Sequence, residues 1–137
     1  MSSTIILLIF AIVFAVSMLI VVNLLSRRFP KRLDQRYFTD KWTELLAGVK
    51  TSQGMILAII DADKLLDEAL KRRGFRGKSV GERLVAAQRV LSDNDSVWYA
   101  HKLRNRLVHE PGAKLNKKEA RTALAGFKRG LSDLGAL

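Results

Sequence analysis

The chain has 137 residues and no cysteine, which excludes disulfides, thiolate chemistry and cysteine metal sites. Lys and Arg number 24 against 13 Asp and Glu, a net charge of +11, and every charged residue lies beyond Ser26. The part after Ser26 is therefore strongly basic, which points to polyanionic partners: anionic lipid headgroups, RNA or DNA. With no more than about 110 residues after the apolar start, it is large enough for one small domain with one modest core.

Residues 4–25 carry no charge, and residues 5–22 are apolar except for Ser17. As a helix they would extend roughly 33 Å, enough to cross a hydrocarbon layer of about 30 Å. A secretory signal peptide is the competing assignment, but no Lys or Arg precedes the run and the run is longer than an ordinary signal core. Residues 1–26 are read as a single-pass anchor. Arg27, Arg28, Lys31, Arg32 and Arg36 follow at once, so the positive-inside rule places the amino terminus outside and the rest in the cytoplasm. The same cluster is expected to hold the anionic leaflet. The anchor has no Gly-xxx-Gly pair, so no specific dimerisation face is read in it.

Residues 27–39 read as a basic tether, in which Pro30 forbids a smooth helical continuation. Thr39 or Asp40 is a candidate cap for a short helix carrying Trp42, Leu45, Leu46 and Val49. Thr51-Ser52-Gln53-Gly54 reads as a break, with a continuous bent helix as the alternative. Residues 55–73 are again helical in pattern, with Ile56, Ile59, Ile60, Leu66, Ala69 and Leu70 on the apolar side and Gly74 as the stop. Lys71, Arg72 and Arg73 fall in the last turn, where the helix dipole favours cations.

Gly77-Lys78-Ser79 has the look of the end of a phosphate-binding P-loop. The first glycine of that motif would have to stand at position 72, which is Arg72, and no strand precedes it. Ser79 with Glu82 reads instead as a capping box opening a helix through about Leu91. That helix start, flanked by Arg76 and Lys78, is a candidate phosphate contact. Residues 92–96 form a polar turn that caps the next helix. Pro111-Gly112 ends that helix, and Asn116 with Glu119 is a second capping box, with Leu115 and Ala120 placed as a hydrophobic staple. A last helix runs from Lys117 to about Leu134, burying Ala120, Leu124, Phe127, Leu131 and Leu134. No stretch beyond the anchor alternates as a half-buried strand does. The expected fold class is all-α: a transmembrane helix, a tether, and a bundle of four or five helices over residues 40–137.

The helix before Pro111 carries the chemistry. Its apolar residues Val97, Ala100, Leu103, Leu107 and Val108 recur at helical spacing, while His101, Asn105 and His109 fall four apart along one edge. Arg104 lies at the opposite border of the apolar stripe. The two histidines are eight positions apart with Asn105 between, so they do not share one metal ion unaided; a zinc site would need Asp63 or Asp67. No metal or other cofactor is expected. Asp61, Asp63, Asp67 and Glu68 form the densest acidic group, with salt bridges to basic helices as their expected role. A plain structural role for the cluster is the alternative: Arg104 closing a salt bridge to Asp63 or Asp67, and Asn105 and His109 satisfying backbone groups of the Pro111-Gly112 turn.

Arg104-Asn105, three further residues and His109, on a late helix of a small helical domain, resemble the HEPN family, whose motif is an Arg, four to six residues, then a His. Asn105 follows the Arg as it often does in that family. The resemblance covers roughly residues 40–137. The wider text, with Ala62-Asp63-Lys64-Leu65-Leu66-Asp67, Gly81-Glu82-Arg83-Leu84 and Ala100-His101-Lys102-Leu103-Arg104-Asn105, also resembles small membrane-tethered bacterial proteins. Many HEPN domains are metal-independent endoribonucleases that work as dimers, with two copies of the motif facing across a cleft. The resemblance implies Arg104, Asn105 and His109 as catalytic residues, RNA as substrate, a homodimer through the motif helix, and products ending in a 2′,3′-cyclic phosphate and a 5′-hydroxyl. Arg76, Lys78, His101, Lys102 and Arg106 are the accompanying candidate contacts to nucleic acid or other anions. His101 has no counterpart in the motif and takes a supporting or solvent-facing role. A non-catalytic adaptor that binds nucleic acid, anionic lipid or a protein partner at the membrane is the alternative from a different class.

Overall fold

A computed structural model describes residues 2–26 and 31–137, Ser26 by its backbone only. Among these residues every regular element is a helix. The order is α1 (Ser3–Ser26), α2 (Gln35–Ala47), α3 (Ser52–Arg72), α4 (Val80–Ala86), α5 (Asn94–His109) and α6 (Lys117–Asp133). The chain divides into two compact units, Met1–Pro30 and Lys31–Leu137. Arg27 and Arg28 of the expected juxtamembrane cluster lie outside the described residues; Lys31, Arg32 and Arg36 are exposed.

The first unit is the α1 helix. Its stretch Ser3–Leu25 is long and apolar enough to cross a membrane, and none of it is buried against protein. Phe10 and Phe14, for example, are exposed on its surface. An apolar helix of this kind is costly in water, because each large side chain forfeits about 1.5–3 kcal/mol that burial would return.

The second unit is built around α3, which packs against α2, α4, α5 and α6. Phe38 and Trp42 of α2, Ile59, Leu66 and Leu70 of α3, Leu84 of α4, Val97 and Leu103 of α5, and Phe127 and Leu131 of α6 form one core. The α5–α6 pair makes the most extensive contact. Small residues let these two helices approach: a Cβ placed on Gly126 would stand 2.5 Å from the Ser96 carbonyl oxygen. A side chain on Gly130 would press on Val97 and Leu66.

Each helix of this unit opens on a capping side chain, and the caps correct several expected boundaries. Asp34 accepts from the Tyr37 N–H and opens α2 at Gln35, so the helix starts before Thr39 and Asp40, and residues 35–39 are helix rather than tether. Thr51 accepts from Gly54 N–H, so the break lies at residues 48–51 and Ser52 to Gly54 are already helical. Ser79 accepts from Glu82 N–H as expected, but the Glu82 carboxylate takes the N–H of Lys78 instead of that of Ser79. The helix α4 ends at Ala86, short of Leu91, and the Asn94 amide then captures the carbonyls of Gln88 and Leu91. Asn116 and Glu119 form the expected reciprocal box. At the far ends of α3 and α6, Gly74 (φ +89°) and Gly135 (φ +77°) supply the left-handed residue that closes a Schellman turn.

Candidate functional site

The polar cluster of the domain lies where α5 crosses α3. Residues 97, 100 and 103 of α5 face the core, and this rotation carries His101 inward beside them. On α3, Ile59, Ala62 and Leu66 are fully buried, and Asp63 lies on the same side, 1% exposed. The result is a carboxylate that must find cations or donors inside the bundle.

It finds two. Nδ1 of His101 lies 2.8 Å from Oδ1 of Asp63, and Nε of Arg104 lies 3.4 Å from its Oδ2. Arg104 Nη1 donates to Oδ1 of Asn105 at 2.9 Å, and the Asn105 amide nitrogen lies 3.3 Å from His101 Nε2. The four side chains therefore close a ring, Asp63, His101, Asn105, Arg104 and back to Asp63, in which the last link is an ion pair only, since Arg104 Nε is buried without a hydrogen-bond partner. With Asn105 Oδ1 committed to Arg104, its NH2 group donates to His101 Nε2, so Nδ1 carries the proton given to Asp63. Trp98 stands edge-on to the His101 ring, centroids 5.9 Å apart, and covers it from the preceding turn.

His101 is therefore not solvent-facing. It is 7% exposed and is the residue through which α3 meets the motif. Arg104 is partly exposed, with 24% of its side chain accessible, and its Nη2 has no hydrogen-bond partner among the described residues. Asn105 is turned into the ring rather than toward the Pro111-Gly112 turn. His109, the last residue of α5, is exposed and stands outside the ring, with no hydrogen bond or ion pair among the described residues.

The other expected contacts are spread over the surface. Lys102, Arg76 and Lys78 are exposed. Arg106 pairs with Glu119 at 3.0 Å. Asn116 N–H and the Arg106 guanidinium together hold the Glu119 carboxyl below its usual range. Lys102 and Arg106, with Tyr99, Leu103 and Glu119, line a shallow depression of about 210 Å³ between α5 and α6. Asp67, the other candidate partner of Arg104, is used elsewhere. Arg83 binds it bidentately, Nε to Oδ1 at 2.6 Å and Nη2 to Oδ2 at 2.9 Å, while Lys71 lies 2.9 Å away. Burial pushes the Asp67 carboxyl up, but the bonds and charges of Arg83 and Lys71 outweigh it and hold the group below its ordinary value. Among the described residues no group of three or more His, Asp and Glu is placed to hold a metal ion.

Asp63 was legible only as one of two carboxylates within reach of Arg104. The inward turn of His101 had one sequence signal: it falls beside Val97 and Ala100 at helical spacing. No family model, no curated protein and no solved structure matches the chain.

Proposed function

We propose that the protein is anchored in a membrane by α1 and that its helical domain is HEPN-like and cleaves RNA without a metal, through Arg104 and His109. The observation that carries this reading is the contrast between the two side chains on one helix. Arg104 is fixed by Asp63 and Asn105 with Nη2 unused, while His109 is exposed and unengaged. A guanidinium held in place suits a phosphodiester, whose non-bridging oxygens it contacts and whose developing charge it stabilises. An unengaged imidazole suits proton transfer.

The chemistry is internal transesterification. His109 accepts the proton of a ribose 2′-OH as O2′ bonds to phosphorus. The bond from phosphorus to the 5′-oxygen breaks, and that oxygen receives a proton from an imidazolium. In a dimer with two motifs across one cleft, one His109 serves each step. The products are a 2′,3′-cyclic phosphate and a 5′-hydroxyl. The exposed Lys102, Arg76 and Lys78 supply a positive field for the strand. Mass analysis of fragments tests this directly: cyclic phosphate ends are expected, and an RNA with a 2′-deoxy residue at the cleaved position is expected to resist. Fragments with 3′-hydroxyl ends, or cutting at the deoxy position, would overturn the mechanism.

The non-catalytic adaptor is favoured by one specific feature, the closure of Arg104 onto Asp63 and Asn105 inside the bundle. It predicts salt-sensitive binding of RNA or anionic vesicles with no turnover and no dependence on His109.

A further inference from the structure

A second set of cations lies away from the motif helix. A cavity of about 530 Å³ is lined by Arg32, Asp34 and Gln35 at the start of α2, Arg73 at the end of α3, and Leu134 and Gly135 at the end of α6. Neither Arg32 nor Arg73 has a hydrogen bond or ion pair from its guanidinium among the described residues, and Nε of Arg73 is buried with no acceptor. A buried guanidinium N–H left unmet costs about 1–3 kcal/mol, more for a charged group.

The ends of α3 and α6 account for a cation at this place, since helix C-termini favour positive charge. They do not account for the missing acceptor. The Schellman turns already occupy the N–H groups of Gly135 and Ala136 with the carbonyls of Ser132 and Leu131. Gln35, which also lines the cavity, is the first residue of α2, and its N–H has no intrahelical acceptor. The one carboxylate lining the cavity, Asp34, is engaged with the Tyr37 N–H at 3.2 Å. Two arginines whose guanidinia have no partner among the described residues thus line one open space, and a tetrahedral oxyanion in it offers acceptors to the parts of both side chains that reach the cavity, Arg73 Nε itself being closed off from it.

We infer that this cavity is a phosphate site, with Arg73 and Arg32 as its clamps. Two sources share that chemistry: the headgroup of an anionic phospholipid, or a free phosphate. The lipid source rests on the reading of α1 as an anchor; the phosphate site itself does not.

The test uses the full chain in maltoside micelles, with unfolding followed by the fluorescence of Trp42 and Trp98, both in the second unit. One arm compares inorganic phosphate with chloride at matched ionic strength; the other compares micelles doped with phosphatidylglycerol or phosphatidylcholine. The unfolding midpoint is expected to rise by at least about 4 °C in one or both arms. The rise should vanish in Arg73→Gln, shrink in Arg32→Gln, and persist in Arg121→Gln on the exposed side of α6. A response to phosphatidylglycerol alone assigns the lipid source, and a response to inorganic phosphate assigns the free ion. No rise in either arm, or an equal rise in Arg73→Gln, overturns the site.

Discussion

Asp63 and His101 stand 38 positions apart in the chain, yet Oδ1 of one lies 2.8 Å from Nδ1 of the other. This contact ties α3 to α5 and, through Asn105, sets the direction of Arg104. It should matter for stability as well as for the site. Asp63→Ala removes the acceptor of His101 and the counter-charge of Arg104 in a region closed to water. A loss of about 3 kcal/mol is expected, read as a lowered urea midpoint in the fluorescence of Trp42 and Trp98. A midpoint within about 0.5 kcal/mol of the wild type would show that the ring is not a structural element.

Acid should act on the domain through Asp67. Its folded-state carboxyl lies below the ordinary value of 3.8 because Arg83 and Lys71 outweigh its burial. A depressed carboxyl contributes stability that is complete above the unfolded-state value and is lost as pH falls through the folded-state one. The midpoint should therefore be level above about pH 5 and fall below about pH 4. In Asp67→Asn that acid-induced fall should be smaller, with a lower midpoint at neutral pH. An identical acid profile in the variant would contradict the assignment.

The close approach of α5 and α6 depends on Gly126. A methyl group there would meet the Ser96 carbonyl at 2.5 Å, and backbone cannot swing aside as a side chain can. Gly126→Ala should destabilise the domain by about 2 kcal/mol, although alanine is the better helix former. Thermal unfolding of the variant checks this, and an unchanged or raised midpoint would refute the packing account.

The capping box at α6 offers a milder change. Asn116 accepts from Glu119 N–H at 2.8 Å, and Glu119 accepts from Asn116 N–H at 3.2 Å. Asn116→Ala should cost about 1 kcal/mol in the same unfolding measurement. Glu119 also holds Arg106, so Glu119→Ala should free that guanidinium and strengthen salt-sensitive RNA binding.

Local chemistry was the legible part of this chain. The Asn116–Glu119 box and the glycine stop at Gly74 depend on neighbours within a few residues, and each is where the sequence places it. The polar turn expected over residues 92–96 is shorter, because Asp93 caps α5 and the helix already begins at Asn94. The start of α2 was misplaced because Asp34 caps it from within a stretch whose charge and proline suggest a tether. The end of α4 was misplaced because the backbone tightens after Ala86, with Gln88 N–H on the Val85 carbonyl and Val90 N–H on the Ala87 carbonyl, and Asn94 then takes the carbonyls of Gln88 and Leu91 left free beyond it. At the candidate site, spacing put Arg104, Asn105 and His101 on one helix. Only the crossing of α3 and α5 decides that Asp63 receives His101 and that Asp67 goes to Arg83. That decision depends on long-range packing, which no window of the sequence contains.

The central claim is that Arg104 and His109 together cleave RNA without a metal. The most direct measurement incubates the full chain in maltoside micelles with end-labelled single-stranded RNA in excess EDTA. Wild-type protein should cut, and Arg104→Ala and His109→Ala should each lose at least about 100-fold in rate. The exposed position of His109 predicts an unchanged unfolding midpoint for its variant. Absence of cutting by the wild type, or equal cutting by both variants, would contradict the claim.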